Sequence, residues 1–262
     1  MPDIKPINPN NLAGKYWLEN DSYQFTSQDS LCPIVAEEMA KIIFNLPTGF
    51  AKKGESSFRL VSIQGLEGKK NLCINTEGQW QVGYIPSLYR SYPFAIRKNA
   101  QGQRIPCVDL ESDRISTDSA GVALFSEDGQ PSDTLNSTLK FLKRLAVARE
   151  KTNIICDALS KHELIKPLAI QASSQEQKKA IPGVFGIDEA ALNALSESAL
   201  KELRDCGALS VAYAQLLSTH QFSNLMKLNN LRKAAEEKGE QQPVELDLDF
   251  LHNHGNISFG DL

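Results

Sequence analysis

No run of the 262-residue sequence approaches the ~20 consecutive apolar residues that a membrane-spanning helix requires. The longest apolar stretches, residues 31–46 and 208–217, are amphipathic or too short. The first ten residues, Met-Pro-Asp-Ile-Lys-Pro-Ile-Asn-Pro-Asn, lack the apolar core of a secretory signal, so a cytoplasmic protein is expected. Cysteine is sparse. Cys32, Cys73, Cys107, Cys156 and Cys206 stand singly, without the close pairs of a zinc site or the even count of a disulfide framework. Each sits among apolar residues, which predicts reduced core thiols. Net charge is only −4, which gives no reason to expect nucleic acid as a partner.

Familiar chemistry is also scarce. There is no GxSxG elbow, no dinucleotide fingerprint, no HExxH and no internal repeat. Residues 49–56 have the glycine spacing of a phosphate loop, but Glu55 stands where a lysine is needed, so a solvated turn is expected there. Of four histidines, His162 and His220 fall at helix ends, where the helix dipole favours a cation. His252 and His254 are weak metal-ligand candidates in the C-terminal tail, with no rigid surroundings to orient them. The neighbouring carboxylates Glu37/Glu38, Asp188/Glu189 and Glu236/Glu237 do not share a helix face. No cofactor is expected.

What is present is β pattern, then helix. Residues 15–18, 22–26, 58–66, 71–75, 94–97, 105–110 and 122–125 read as strands, in a mostly antiparallel meander. One helix is inserted over residues 33–45, opened by Pro33 and stopped by Pro47. The period changes after residue 131. Leu135, Leu139, Leu142, Ala146, Ile155 and Leu159 predict a helix to about residue 159, with a break near Asn153 as one option, and a solvated basic side. Residues 166–172 and 180–187 read as strands returning to the sheet. Asp188, and then Ser196 or Ser198, are expected to cap short helices, and Gly207 to end one. Leu209, Tyr213, Leu216 and Leu217 are expected to form a buried face, continued by Phe222, Leu225, Met226 and Leu228. The fold class is α+β, with one domain over residues 1–239, β-rich over 15–126 and helix-rich over 132–239. Residues 240–262 form an acidic tail, in which Val244, Leu246, Leu248 and Phe250 alternate with acids; a strand over 244–251 can dock internally or reach a protein partner.

The rarer rings concentrate in residues 78–94, Gly-Gln-Trp-Gln-Val-Gly-Tyr-Ile-Pro-Ser-Leu-Tyr-Arg-Ser-Tyr-Pro-Phe. Pro86 suits the first turn of a short helix over 87–91, and Pro93 ends it before a strand. Two arrangements fit. In the first the rings are core, as their ~150–250 Å² of surface favours, and Arg90 pairs with a local carboxylate or carbonyl. In the second Trp80, Tyr84, Tyr89 and Tyr92 form a pocket wall and Arg90 grips a small anionic ligand, a carboxylate or a phosphate.

The pattern Trp80…Tyr84-Ile85-Pro86…Tyr89-Arg90-Ser91-Tyr92-Pro93-Phe94 resembles the SapC family of bacterial proteins, as does a second block from Ile187 to Ser218. Neither block is a catalytic motif. The resemblance implies, through the family's name, a link to surface-layer proteins. The leading reading is a SapC-like binding or accessory protein, for which the family name points to surface-layer biogenesis or export. The alternatives are an enzyme that uses Arg90 to hold an anionic substrate and a structural surface-layer component, the last opposed by the lack of a secretory signal and by the cysteine count.

Overall fold

The computed structural model describes residues 3–19, 21–55, 57–171 and 178–237. About 40% of the described residues are helical and 24% strand, an α+β arrangement with antiparallel sheets towards the N-terminus and helices towards the C-terminus. The first part of the chain runs β1 (Ile4–Pro6), α1 (Pro9–Leu12), β2 (Tyr16–Trp17), β3 (Leu31–Pro33), α2 (Met39–Ile42), β4 (Thr48–Lys52), β5 (Phe58–Ile63), α3 (Ser87–Arg90), β6 (Phe94–Lys98), β7 (Arg104–Asp109), β8 (Ile115–Ser116) and β9 (Val122–Ala123). There follow α4 (Asp133–Lys161), β10 (Ile165–Gln171), β11 (Lys178–Ile187), α5 (Glu189–Asn193), α6 (Glu197–Asp205), α7 (Ala208–Ser218) and α8 (Phe222–Glu237).

The strands divide among three sheets rather than one meander, in the orders β10-β11-β4-β5-β3, β1-β7-β6 and β8-β2-β9. The late hairpin β10–β11 does return to the main sheet, where Phe185 of β11 pairs with Phe50 of β4. That strand β4 replaces the solvated turn expected from residue 49. Gly49 permits it: a side chain there would meet the Phe185 carbonyl at 2.8 Å, so the backbones approach too closely for a Cβ. Phe50 then lies fully buried.

Three other expectations change. Residues 22–26 are not a strand; Gln24–Thr26 form a 3₁₀ turn, closed by Thr26, whose backbone N–H and hydroxyl both donate to the Tyr23 carbonyl. The inserted helix does not open at Pro33, because Cys32 and Pro33 are taken up in pairing with β5. It begins as a 3₁₀ turn at Ala36–Glu38 and continues as α2, with the Glu38 carboxylate reaching back to the Val35 N–H at 2.9 Å. Residues 71–75 contribute only the bridge Ile74↔Trp80, since the Asn71 side chain bends the chain by accepting from Cys73 N–H at 2.9 Å. Helix α4 runs unbroken through Asn153, capped by the Ser132 hydroxyl.

The face of α7 is the instructive error. Tyr213 and Leu217 are 47% and 62% exposed, while Ala208, Val211, Ala212, Gln215 and Ser218 point inward. Small residues let α7 lie against β11 and β4, and Gln215 supplies polar partners at that depth. It accepts from Ile187 N–H at 2.8 Å and donates to the Thr48 carbonyl at 3.1 Å. The caps stand as expected: Asp188 and Ser196 cap α5 and α6, and Gly207 sits at φ +81° between α6 and α7.

Helix α4 joins two apolar clusters. Its first half sends Leu135 and Leu142 to Leu12, Phe94, Val108 and Leu124. Its second half sends Ile155, Cys156 and Leu159 into the larger core with the main sheet, α7 and α8. Burying each such leucine contributes about 1.5–3 kcal/mol. All the cysteines are free, four of them buried; burial pushes the Cys156 thiol up to about 12. No described helix is long and apolar enough to cross a membrane.

Candidate functional site

The corner from Trp80 to Phe94 is built as the prolines dictate. Pro86 precedes the single turn of α3, and a cis Tyr92–Pro93 bond leads into β6. The five candidate residues then separate into two groups.

Trp80, Tyr89 and Tyr92 join a ring cluster with Tyr23 and Phe25. Tyr92 stacks on Phe25 at 4.1 Å, and Tyr89 meets Phe25 and Trp80 edge-on at 5.9 and 5.8 Å. Tyr23 closes the group on Trp80 at 5.7 Å. The arginine in the cluster is Arg114 rather than Arg90. Its guanidinium lies 5.2 Å from the Tyr23 ring and 5.4 Å from Phe25, and it donates to the Ser22 carbonyl at 2.7 Å and the Tyr92 carbonyl at 3.4 Å. Sequence reasoning missed Arg114: it sits in the polar run Ser112-Asp113-Arg114, and only its distant ring partners reveal it. Tyr89 is the buried member of this group; Tyr23, Trp80 and Tyr92 are half-buried and Phe25 is 38% exposed.

Tyr89 is its centre, 3% exposed. Its hydroxyl proton lies between Asp29 Oδ2 at 3.1 Å and Gln64 Oε1 at 3.0 Å. Burial drives the phenol pKa far up, so it remains a donor at any ordinary pH. Burial also raises the Asp29 carboxyl above its usual 3.8, which the Tyr89 hydroxyl offsets only in part. The folded state therefore favours protonated Asp29. That contribution is complete below 3.8 and is lost as pH rises through the raised folded value. Asp29→Asn should flatten the thermal midpoint across this window; midpoints that track wild type at every pH would show that Asp29 does not titrate there.

Tyr84 and Arg90 face the other way. Arg90 is exposed. Its Nε donates to the Ile85 carbonyl at 3.1 Å and an Nη to the Tyr84 hydroxyl at 3.4 Å, while its guanidinium lies 5.8 Å from the Tyr84 ring and 5.5 Å from Phe141 of α4. It makes no ion pair with a carboxylate among the described residues. Tyr84 in turn donates to Glu38 Oε1 at 3.1 Å, and burial raises its own pKa. Glu38 is 5% exposed and also accepts from Ser87 N–H at 2.6 Å. The sequence marks Glu38 only as half of an adjacent acidic pair; its partners lie 46 and 49 residues away. Trp80 links the groups, donating from Nε1 to the Tyr84 carbonyl at 3.2 Å.

Arg90 borders a cleft of about 510 Å³ along the first turns of α4. Trp17, Ser91, Asp133, Thr134, Ser137, Thr138 and Phe141 complete its lining. Only Arg90 of the sequence candidates reaches it. Tyr84 is tied to it only through Arg90, and Trp80, Tyr89 and Tyr92 do not line it. His252, His254 and the 244–251 segment lie outside the described residues, among which no cluster of three His, Cys, Asp or Glu side chains is placed to hold a metal ion.

Comparison with known proteins finds one match: the family model described as SapC covers residues 7–225. That is most of the chain, which therefore belongs to this family. No curated protein and no solved structure matches.

Proposed function

We propose, from the premise of SapC membership, that the protein is a binding or accessory protein that holds a small anionic group, a carboxylate or a phosphate, on Arg90. The observation that carries this reading is an exposed guanidinium aimed by the Ile85 carbonyl and the Tyr84 hydroxyl, framed by two rings and bordering an open cleft. A guanidinium fork suits such anions, and a concave site with a few placed polar groups is where small ligands bind. The cleft lining offers one carboxylate and no histidine or cysteine, which favours recognition over catalysis. A role in surface-layer biogenesis or export belongs to this proposal, as does contact of segment 244–251 with a protein partner.

The test is calorimetric titration with inorganic phosphate. Wild type should bind saturably, with a dissociation constant on the order of millimolar. Arg90→Ala should abolish the signal and Arg90→Lys weaken it, because a point charge does not reproduce the fork. Both should keep the wild-type thermal midpoint within a few degrees. Unchanged binding in Arg90→Ala, or unfolding of both variants, overturns the reading.

A further inference from the structure

Resting on the Arg90 reading, we infer that the cleft takes an extended zwitterion, a short peptide whose carboxylate meets Arg90 and whose ammonium meets Asp133. Three observations converge. The first is spacing. Asp133, Ser137 and Phe141 stand four residues apart on one stripe of α4, and all three line the cleft. Eight residues of helix place Asp133 about 12 Å along the axis from Phe141, over which the Arg90 guanidinium lies. The two opposite charges thus stand near opposite ends of one groove.

The second is charge. Asp133 is exposed and makes no ion pair among the described residues, as is true of Arg90. It also offsets the positive end of the α4 dipole. The N-terminal turn of α4 is therefore not a second anion site, and a ligand with two anionic groups would meet a carboxylate at that end. A ligand with one charge of each sign satisfies both. The third is the wall between them: the rings of Trp17 and Phe141 and the hydroxyls of Ser137 and Thr138 suit an apolar body with amide groups.

Length then selects among zwitterions. Taking the guanidinium at the level of the Phe141 ring that it covers, a contact of ~3 Å at each end leaves roughly 6 Å for the ligand. The charges of a single α-amino acid are separated by two bonds of ~1.5 Å each, too few to reach both partners. A chain of two or three residues, at about 3.3–3.6 Å each, spans the gap.

The experiment is a calorimetric series on the full chain with triglycine, triglycine amide, N-acetyl-triglycine, glycine and inorganic phosphate. Triglycine should bind about tenfold more tightly than glycine or phosphate, and blocking either terminus should cost about fivefold or more. In Asp133→Asn the free and acetylated peptides should become equivalent while the acid still exceeds the amide. In Arg90→Ala the acid and amide should become equivalent. If phosphate binds through Arg90 but triglycine binds no better than glycine, or acetylation costs nothing, the zwitterion inference falls and the anion reading stands. If neither phosphate nor triglycine binds wild type, both fall. The wild-type ligand series decides this whatever the variants do.

Discussion

Replacing Tyr89 by alanine should lower stability by about 3–5 kcal/mol, the cost of removing a large buried ring. The ring is 3% exposed and makes edge-on contacts with both Phe25 and Trp80. Phe25 in turn stacks on Tyr92, so the cavity would open at the middle of the cluster rather than at its rim. For a chain of this length, a loss of that size corresponds to a fall in thermal midpoint on the order of 10 °C. Tyr89→Phe separates ring from hydroxyl. It keeps the packing but leaves Asp29 and Gln64 without their shared donor, at a cost of about 1–3 kcal/mol. Urea unfolding of both variants checks the order. If Tyr89→Ala costs less than ~1 kcal/mol, these rings do not form a common core.

Glu38→Ala should cost a similar amount, about 3–5 kcal/mol, for a different reason. Nothing large is removed. Instead the buried N–H groups of Val35 and Ser87 and the Tyr84 hydroxyl lose their acceptor together. Those three partners lie on the strand-to-helix entry before α2, the start of α3 and the loop between, so a single carboxylate fastens the corner to the main sheet. Glu38→Gln keeps one acceptor oxygen and should cost about 1–3 kcal/mol. The effect should also reach the cleft: in Glu38→Ala Tyr84 loses its acceptor and no longer fixes the Arg90 guanidinium, so phosphate affinity should fall, whereas the one oxygen of Glu38→Gln can keep the Tyr84 and Ser87 bonds and most of the affinity. Full phosphate affinity in folded Glu38→Ala would show that Arg90 is aimed without this chain of contacts.

The parts of the fold legible in the sequence were those with local causes. Asp188 and Ser196 announce helix starts by side chains that satisfy N–H groups within three residues of themselves. The leucine spacing of α4 follows from one helix meeting one core. Pro86 and Pro93 fix the turn of α3 from their own ring geometry. Errors arose where a distant partner decides. On α7 side-chain size misleads, since Tyr213 and Leu217 are large and apolar yet exposed. The burial is decided by close approach to the sheet, which admits Ala208 and Ala212, and by Ile187 and Thr48, whose backbone groups need Gln215. Strand β4 was hidden because Gly49 and the polar residues after Phe50 read as a turn until β11 arrives beside them.

The site was legible to the same degree and for the same reason. Residues 80–92 do form a corner, in which Trp80, Tyr89 and Tyr92 pack with Tyr23 and Phe25 while Tyr84 turns to Arg90. Which arginine enters the rings was not readable, because Arg114 reaches them from 22 residues beyond Tyr92. The cleft assembles residues 17, 90–91 and 133–141, and no periodicity or motif connects those three stretches.

The anion site proposed at Arg90 opens on the cleft. Its most direct test uses the two tryptophan indole N–H signals in a nitrogen-15 spectrum, since Trp17 lines the cleft and Trp80 is packed in the ring cluster. Titration with inorganic phosphate should shift the Trp17 signal saturably and leave that of Trp80 in place, and Arg90→Ala should abolish the shift. A Trp17 signal that does not move in wild type, or moves equally in folded Arg90→Ala, would contradict it.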